Sequence, residues 1–242
     1  MTDIQAVLLD MGGVILHMAH AHGFPVDRLD WRGRQAMLER MRSAGGKATL
    51  EDLERWVFAP WRARYESRQE SGKEASWSPH LERLRQKAGI ETPDFDLLRA
   101  WFRPYGERLE PLEGAATALR ELESMNVGLA LVSNVPLPGA LYREILERYG
   151  LLSCFDNCLF SYDCGSRKPS PAMLRRALAA MAAKPGSAVM VGDRRDRDIA
   201  AGRSAGVQTV WIESEDGGGP NPDFTIGTLA ELPELLRVRS ES

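Results

Sequence analysis

Four polar clusters follow one another along the chain, three of them at the ends of short apolar runs. Asp10 follows Ala6-Val7-Leu8-Leu9 and precedes Met11-Gly12-Gly13. Ser133-Asn134 follows Val127 to Val132, Lys168-Pro169 follows a loop bearing Ser, Asp and Gly, and Gly192-Asp193 follows Ala188 to Val191, with Asp198 five residues on. Carboxylates of this kind act as nucleophiles or as ligands of hard cations, while a hydroxyl and an ammonium group neutralise anionic oxygens. Taken singly, each cluster has an ordinary reading: glycines or Ser-Asn after a strand make a turn, a lysine is a surface charge, and an aspartate caps a helix. Their order and their place at strand ends make the set specific.

The apolar runs, together with Gln208-Thr209-Val210-Trp211-Ile212, read as buried strands. From Pro171 to Ala183, the residues Met173, Leu174, Ala177, Leu178 and Met181 fall at three- and four-residue spacings, which predicts a helix. Strand and helix alternate, so the expected fold class is α/β: a Rossmann-like core whose parallel sheet is covered by helices on both faces. In such a core the reacting groups gather at the carboxyl ends of the strands, where Asp10, Ser133 and Asp193 fall.

The stretch from His17 to Glu110 breaks this rhythm. It has no convincing buried strand, but several helix starts: Asp30 before Trp31, Thr49 with Asp52 three residues on, Ser78-Pro79 and Thr92-Pro93. The expected layout is a core of residues 1–16 and 111–242 with an inserted all-helical cap over 17–110. Five of the six tryptophans (Trp31, Trp56, Trp61, Trp77, Trp101) lie in that insertion, interleaved with Arg55, Arg62 and Arg64. Leu53, Trp56 and Val57 have helix-core spacing, and 34 acidic against 31 basic residues leave no field that would draw in nucleic acid or an anionic membrane. The arginines are read as a solvated face, or a gate for an anionic substrate.

At 242 residues and 43% apolar content the chain can bury a full core. The apolar run before Asp10 is too short for a signal peptide or a spanning helix, so a cytoplasmic protein, monomer or homodimer, is expected. Cys154, Cys158 and Cys164, odd in number and close together, are read as ordinary thiols and not as a disulfide or metal framework. Gly217-Gly218-Gly219-Pro220 reads as a loop.

The sequence resembles the haloacid dehalogenase-like superfamily. Its four motifs are matched by Asp10-Met11-Gly12-Gly13-Val14, Val132-Ser133-Asn134, Arg167-Lys168-Pro169 and Val191-Gly192-Asp193 through Asp198-Ile199. Ala200 to Val207 resembles the family's helix and turn after the last motif, and Asp223 to Leu236 its C-terminal tail. The resemblance implies hydrolysis of a small phosphorylated metabolite through an aspartyl-phosphate. Asp10 is then the nucleophile, Ser133 donates to a phosphoryl oxygen, and Lys168 neutralises nucleophile and phosphoryl group together. Gly13 and Asn134 bind substrate, and Asn134 also positions the loop. It also implies Mg²⁺, which screens the approach of a carboxylate to a phosphate, held by Asp10, the Gly12 carbonyl and Asp193, with Asp198 binding directly or through water.

One position departs from the pattern. The family's phosphatases carry a second aspartate two residues after the nucleophile, which protonates the leaving oxygen and activates water; here that residue is Gly12. A general acid-base group contributes about 10²–10⁴ in rate. Three readings stay open: a substrate with a good leaving group, such as an anomeric or acyl phosphate; a proton supplied by His17, His20 or His22; or a weak catalyst that binds or senses a phosphorylated ligand. Haloacid dehalogenases also lack the second aspartate, but they work without a metal. Asp193 and Asp198 argue against that chemistry.

Overall fold

The computed structural model of the chain describes residues 4–17, 26–68, 72–215 and 218–240. Strand β1 (Ala6–Leu9) is followed by helices α1 (Val26–Ser43), α2 (Leu50–Leu53), α3 (Ala59–Arg68), α4 (Ser78–Ala88), α5 (Asp94–Gly106) and α6 (Ala115–Ser124). Then come β2 (Gly128–Ser133), α7 (Gly139–Arg148), β3 (Asn157–Phe160), α8 (Ser161–Cys164), α9 (Ala172–Ala180) and β4 (Ala188–Gly192). The chain ends with α10 (Ala200–Ala205), β5 (Gln208–Ile212), β6 (Phe224–Ile226) and α11 (Leu232–Ser240).

The six strands form one parallel sheet in the order β3-β2-β1-β4-β5-β6. Alternation along each strand sends side chains to two cores. Val7, Leu9, Leu129, Leu131, Val189 and Val191 enter one, and Ala6, Leu8, Ala130, Val132 and Met190 join Met173, Leu174, Ala177 and Leu178 of α9 in the other. With β1 central between β2 and β4, residues 10, 133 and 193 lie side by side at one edge, the crevice where open α/β sheets bind ligands.

The four expected strands are found within a residue of their expected bounds, and β3 and β6 are additions. Between β1 and β2 the described residues form helices and no strand. Thr49 caps α2 reciprocally with Asp52, and Pro79 stands in the first turn of α4. Asp30 does not start a helix; it lies inside α1, bonding Arg34 four residues on at 2.7 Å and the Trp101 indole at 3.0 Å. The helix expected to Ala183 stops at Ala180.

Most of the tryptophans are internal. Trp61 stacks on Trp77 with ring centroids 4.0 Å apart, and Trp101 and Phe58 close around Trp77. Of the five in this region Trp31 alone is exposed, so they offer little apolar surface for a second copy. Arg55, Arg62 and Arg64 are exposed, with Arg62 paired to Glu54. The three cysteines are free thiols, and no described helix is long and apolar enough to cross a membrane.

Candidate active site

Asp10 is held at the end of β1, where its N–H donates to Val191 O at 3.0 Å. The chain then folds back in a tight turn: Ile15 and Leu16 both donate to Met11 O at 2.9 Å, and Gly13 donates to Leu16 O at 3.0 Å. Two glycines bring carboxylates close to this edge. Gly13 has φ +75°, and a Cβ there would fall 2.3 Å from Asp193 Oδ2; a Cβ on Gly192 would fall 2.3 Å from the Asp198 side chain. Any larger residue would push these carboxylates out of the cluster.

Lys168 organises the centre. Its Nζ lies 2.7 Å from Asp10 Oδ1, 2.7 Å from Val132 O and 2.6 Å from Asp198 Oδ1, one acceptor for each ammonium hydrogen. The side chain is 1% exposed. Burial by itself pulls its pKa down, but the carboxylates of Asp10 and Asp198 outweigh that and raise it, so the ammonium persists. Asn134 fixes the same residue's main chain from both sides, accepting from Lys168 N at 2.8 Å and donating to Lys168 O at 2.9 Å. Both amide atoms of Asn134 are thereby engaged on the Lys168 loop.

Asp198 stands on a π-helical turn, Arg195–Ile199, that opens α10. Its Oδ2 accepts from Arg194 N at 3.0 Å. The Asp193 carbonyl accepts from the Trp211 indole at 3.0 Å and from Ser214 Oγ at 2.8 Å, which fixes its backbone, yet its buried Oδ1 has no hydrogen-bond partner among the described residues. Ligand oxygens of Asp10, Asp193 and Asp198 lie within 4.8 Å of one another.

Three carboxylates thus face one ammonium group. Burial, then the charges of Asp10 and Asp198, push Asp193 up to about 8; burial, then Asp10, pushes Asp198 up to about 6 against the opposing pull of Lys168. An orphaned buried oxygen and surplus negative charge in an all-oxygen donor set fit a hard divalent cation.

Ser133 ends β2 and is buried beside this cluster in the sheet order. Gly12 forms a bridge with Leu16 and brings only main chain. His17 N donates to Glu110 O at 2.9 Å, where the outgoing and returning chains meet; His20 and His22 lie outside the described residues. Three buried polar residues without an assigned role adjoin the site: Glu74, Ser161 and Arg167. Arg167 precedes Lys168 in a motif and so carried a signal; Glu74 carried none.

Over residues 4–206 the chain matches the family model described as haloacid dehalogenase-like hydrolase. It is 31% identical to phosphoserine phosphatase of Thermus thermophilus over 95% of this chain and 98% of that protein. It is 28% identical to ribulose-1,5-bisphosphate 5-phosphatase of Halopiger xanaduensis over 96% and 98%. Among solved structures, the HAD phosphatase from Thermococcus onnurineus aligns with a TM-score of 0.63 at 24% identity, covering 96% of this chain and 98% of that one. The 2-haloacid dehalogenase from Pseudomonas syringae aligns with a TM-score of 0.65 at 22% identity, covering 98% and 99%. At those identities the two structures speak to the fold, which phosphatases and dehalogenases share, while the family match and the full-length relatives speak to descent. The chain belongs to the haloacid dehalogenase-like hydrolases.

Proposed function

We propose that this hydrolase is a magnesium-dependent phosphatase of a small phosphorylated metabolite, acting through an aspartyl-phosphate on Asp10, and that Gly12 confines it to substrates with good leaving groups. The observation that carries the reading is the buried Asp10–Lys168–Asp198 arrangement beside Asp193, whose surplus negative charge and orphaned oxygen call for a cation.

Asp10 attacks phosphorus, a new O–P bond forms, and the bond to the leaving oxygen breaks. Lys168 stays on Asp10 and offsets the charge that gathers on the transferring oxygens, and Ser133 donates to one of them. Water then cleaves the aspartyl-phosphate and frees Asp10. Mg²⁺, held by Asp10, Asp193, Asp198 and the Gly12 carbonyl, would supply charge neutralisation between the nucleophile and the phosphate. Residues 17–110 serve as the cap that closes over the leaving group, with 1–16 and 111–242 as the catalytic core.

Without a carboxylic acid at position 12, no side chain there protonates the leaving oxygen. An anomeric or acyl phosphate needs that help least. The same gap favours a second reading, a slow phosphoenzyme that senses a phosphorylated ligand. Dehalogenation is disfavoured by the three-carboxylate cluster.

Steady-state hydrolysis of an aryl phosphate, sugar 1-phosphates, an acyl phosphate and alkyl phosphates, with and without Mg²⁺, tests this on wild type and Asp10→Asn. Mg²⁺-dependent turnover that Asp10→Asn abolishes, fastest on the better leaving groups, is expected. No turnover on any member favours the sensing role, and turnover that survives Asp10→Asn overturns both.

A further inference from the structure

We infer that Glu74 is a positioning residue, a carboxylate of the helical region that holds the Ser133 and Lys168 loops in register through Ser161 and Arg167. Its kinetic consequence rests on the phosphatase reading.

Ahead of α4, residues 72–77 lie across the core as a strap. Arg167 N donates to Gly72 O at 2.9 Å, Glu74 N donates to Gly165 O at 3.2 Å, and Lys73 forms a bridge with Ser166. Farther along, the Trp77 indole donates to Pro136 O at 2.6 Å. The strap therefore touches both loops that carry expected phosphate ligands.

Glu74, 7% exposed, is the ionic contact at its centre. Its Oε2 accepts from Ser161 Oγ at 2.6 Å, and its Oε1 accepts from Ala75 N at 3.0 Å and lies 3.6 Å from Arg167 Nη1. Ser161 Oγ also accepts from Val135 N at 2.9 Å, and Val135 O stands 3.0 Å away. A hydroxyl has one hydrogen, and the carboxylate is the closer and stronger acceptor, so the hydrogen goes to Glu74 and the lone pair to Val135 N.

Arg167, 2% exposed, donates to Tyr65 OH at 3.2 Å and lies 4.9 Å over the Tyr65 ring. Glu74 is the anion beside it, and a buried cation deprived of its counter-charge is displaced or destabilised. One carboxylate thus sits two hydrogen bonds, through Ser161, from Val135, next to Asn134, and is ion-paired with Arg167, the residue before Lys168. Because Asn134 clamps the Lys168 main chain, movement of either loop reaches the other.

The test compares wild type, Glu74→Gln, Ser161→Ala and the double variant, by Mg²⁺-supported turnover of an aryl phosphate and by amide hydrogen exchange. Glu74→Gln is expected to lower kcat about tenfold while KM stays within about twofold, because misplaced phosphate ligands harm the transition state more than binding. The double variant is expected to lose no more than the worse single, as for groups acting in one chain. The Lys168 amide, which neither substitution touches, is expected to exchange faster in both single variants. A loss confined to KM, additive losses, or an unchanged Lys168 amide would overturn the inference. Should Glu74→Gln fail to fold, Ser161→Ala removes the same hydrogen bond without stranding Arg167, and its kcat and Lys168 exchange decide the matter. A wild type without turnover would count against the phosphatase reading and leave the Lys168 amide to judge Glu74.

Discussion

The two sides of Asp10 are built differently. Toward β2 and β4, Lys168 is bonded to Asp10, Asp198 and the Val132 carbonyl and is clamped by Asn134, with Asp193 beside them. Toward the outgoing chain, the turn through Gly12 and Gly13 offers main chain, and the next groups met are the His17 backbone and its partner Glu110. Charge neutralisation is thus a property of the folded sheet edge, spread over distant residues, whereas proton transfer in such a site rests on one side chain. The second can be lost without disturbing the first.

The largest effect is expected on the crowded side. Lys168→Met leaves Asp10 and Asp198 buried without their cation; turnover of an aryl phosphate should fall about 10²–10³-fold, and chemical denaturation should show a loss of about 3 kcal/mol. Retained activity would mean that Lys168 is structural only.

Filling the bare side should act the other way. Gly12→Asp is expected to raise turnover of alkyl phosphates about tenfold or more and to change aryl phosphates little, since only the poorer leaving group needs an acid. Equal gains on both classes would show that leaving-group protonation is not what position 12 lacks.

A smaller effect comes from the surplus carboxylates. In metal-free protein Asp193 and Asp198 stand at about 8 and about 6, above their ordinary value of 3.8. The folded state therefore holds protons that the unfolded chain releases, and this stability, complete below about pH 4, is lost progressively as pH rises from about 4 to about 8. The Tm measured in chelator should fall over that window, and the rise in Tm on adding Mg²⁺ should widen with pH. A Mg²⁺ increment independent of pH would detach the cation from these carboxylates.

The smallest change is expected from replacing His17, His20 and His22 together with Asn, which should alter kcat by less than about threefold. A loss of about 10²-fold would make one of them the missing acid.

Legibility in the sequence tracks burial. β1, β2 and β4 lie inside the sheet, covered on both faces, and so appear as apolar runs, while β5 shows itself by the β-branched and aromatic Thr209-Val210-Trp211-Ile212. β3 and β6 are its edges: Asn157-Cys158-Leu159-Phe160 begins half-buried and Phe224-Thr225-Ile226 is only three residues long, too little pattern to stand out. Asp30 misled because an aspartate before an apolar residue has the look of a cap, while its oxygens serve Arg34 and Trp101 inside α1. The motif residues could be found because most of them sit at strand ends. Glu74 could not, since its partner Ser161 is 87 residues away in the chain and only the fold makes them neighbours.

The stacked Trp61–Trp77 pair has an optical consequence. Two indoles with centroids 4.0 Å apart and rings 9° from parallel couple their electronic transitions, and one of them is anchored through its N–H to the loop after Asn134. The molecule therefore carries its own chromophore where the helical region meets the sheet edge, and the near-ultraviolet circular dichroism of the unlabelled protein reports whether that contact is seated.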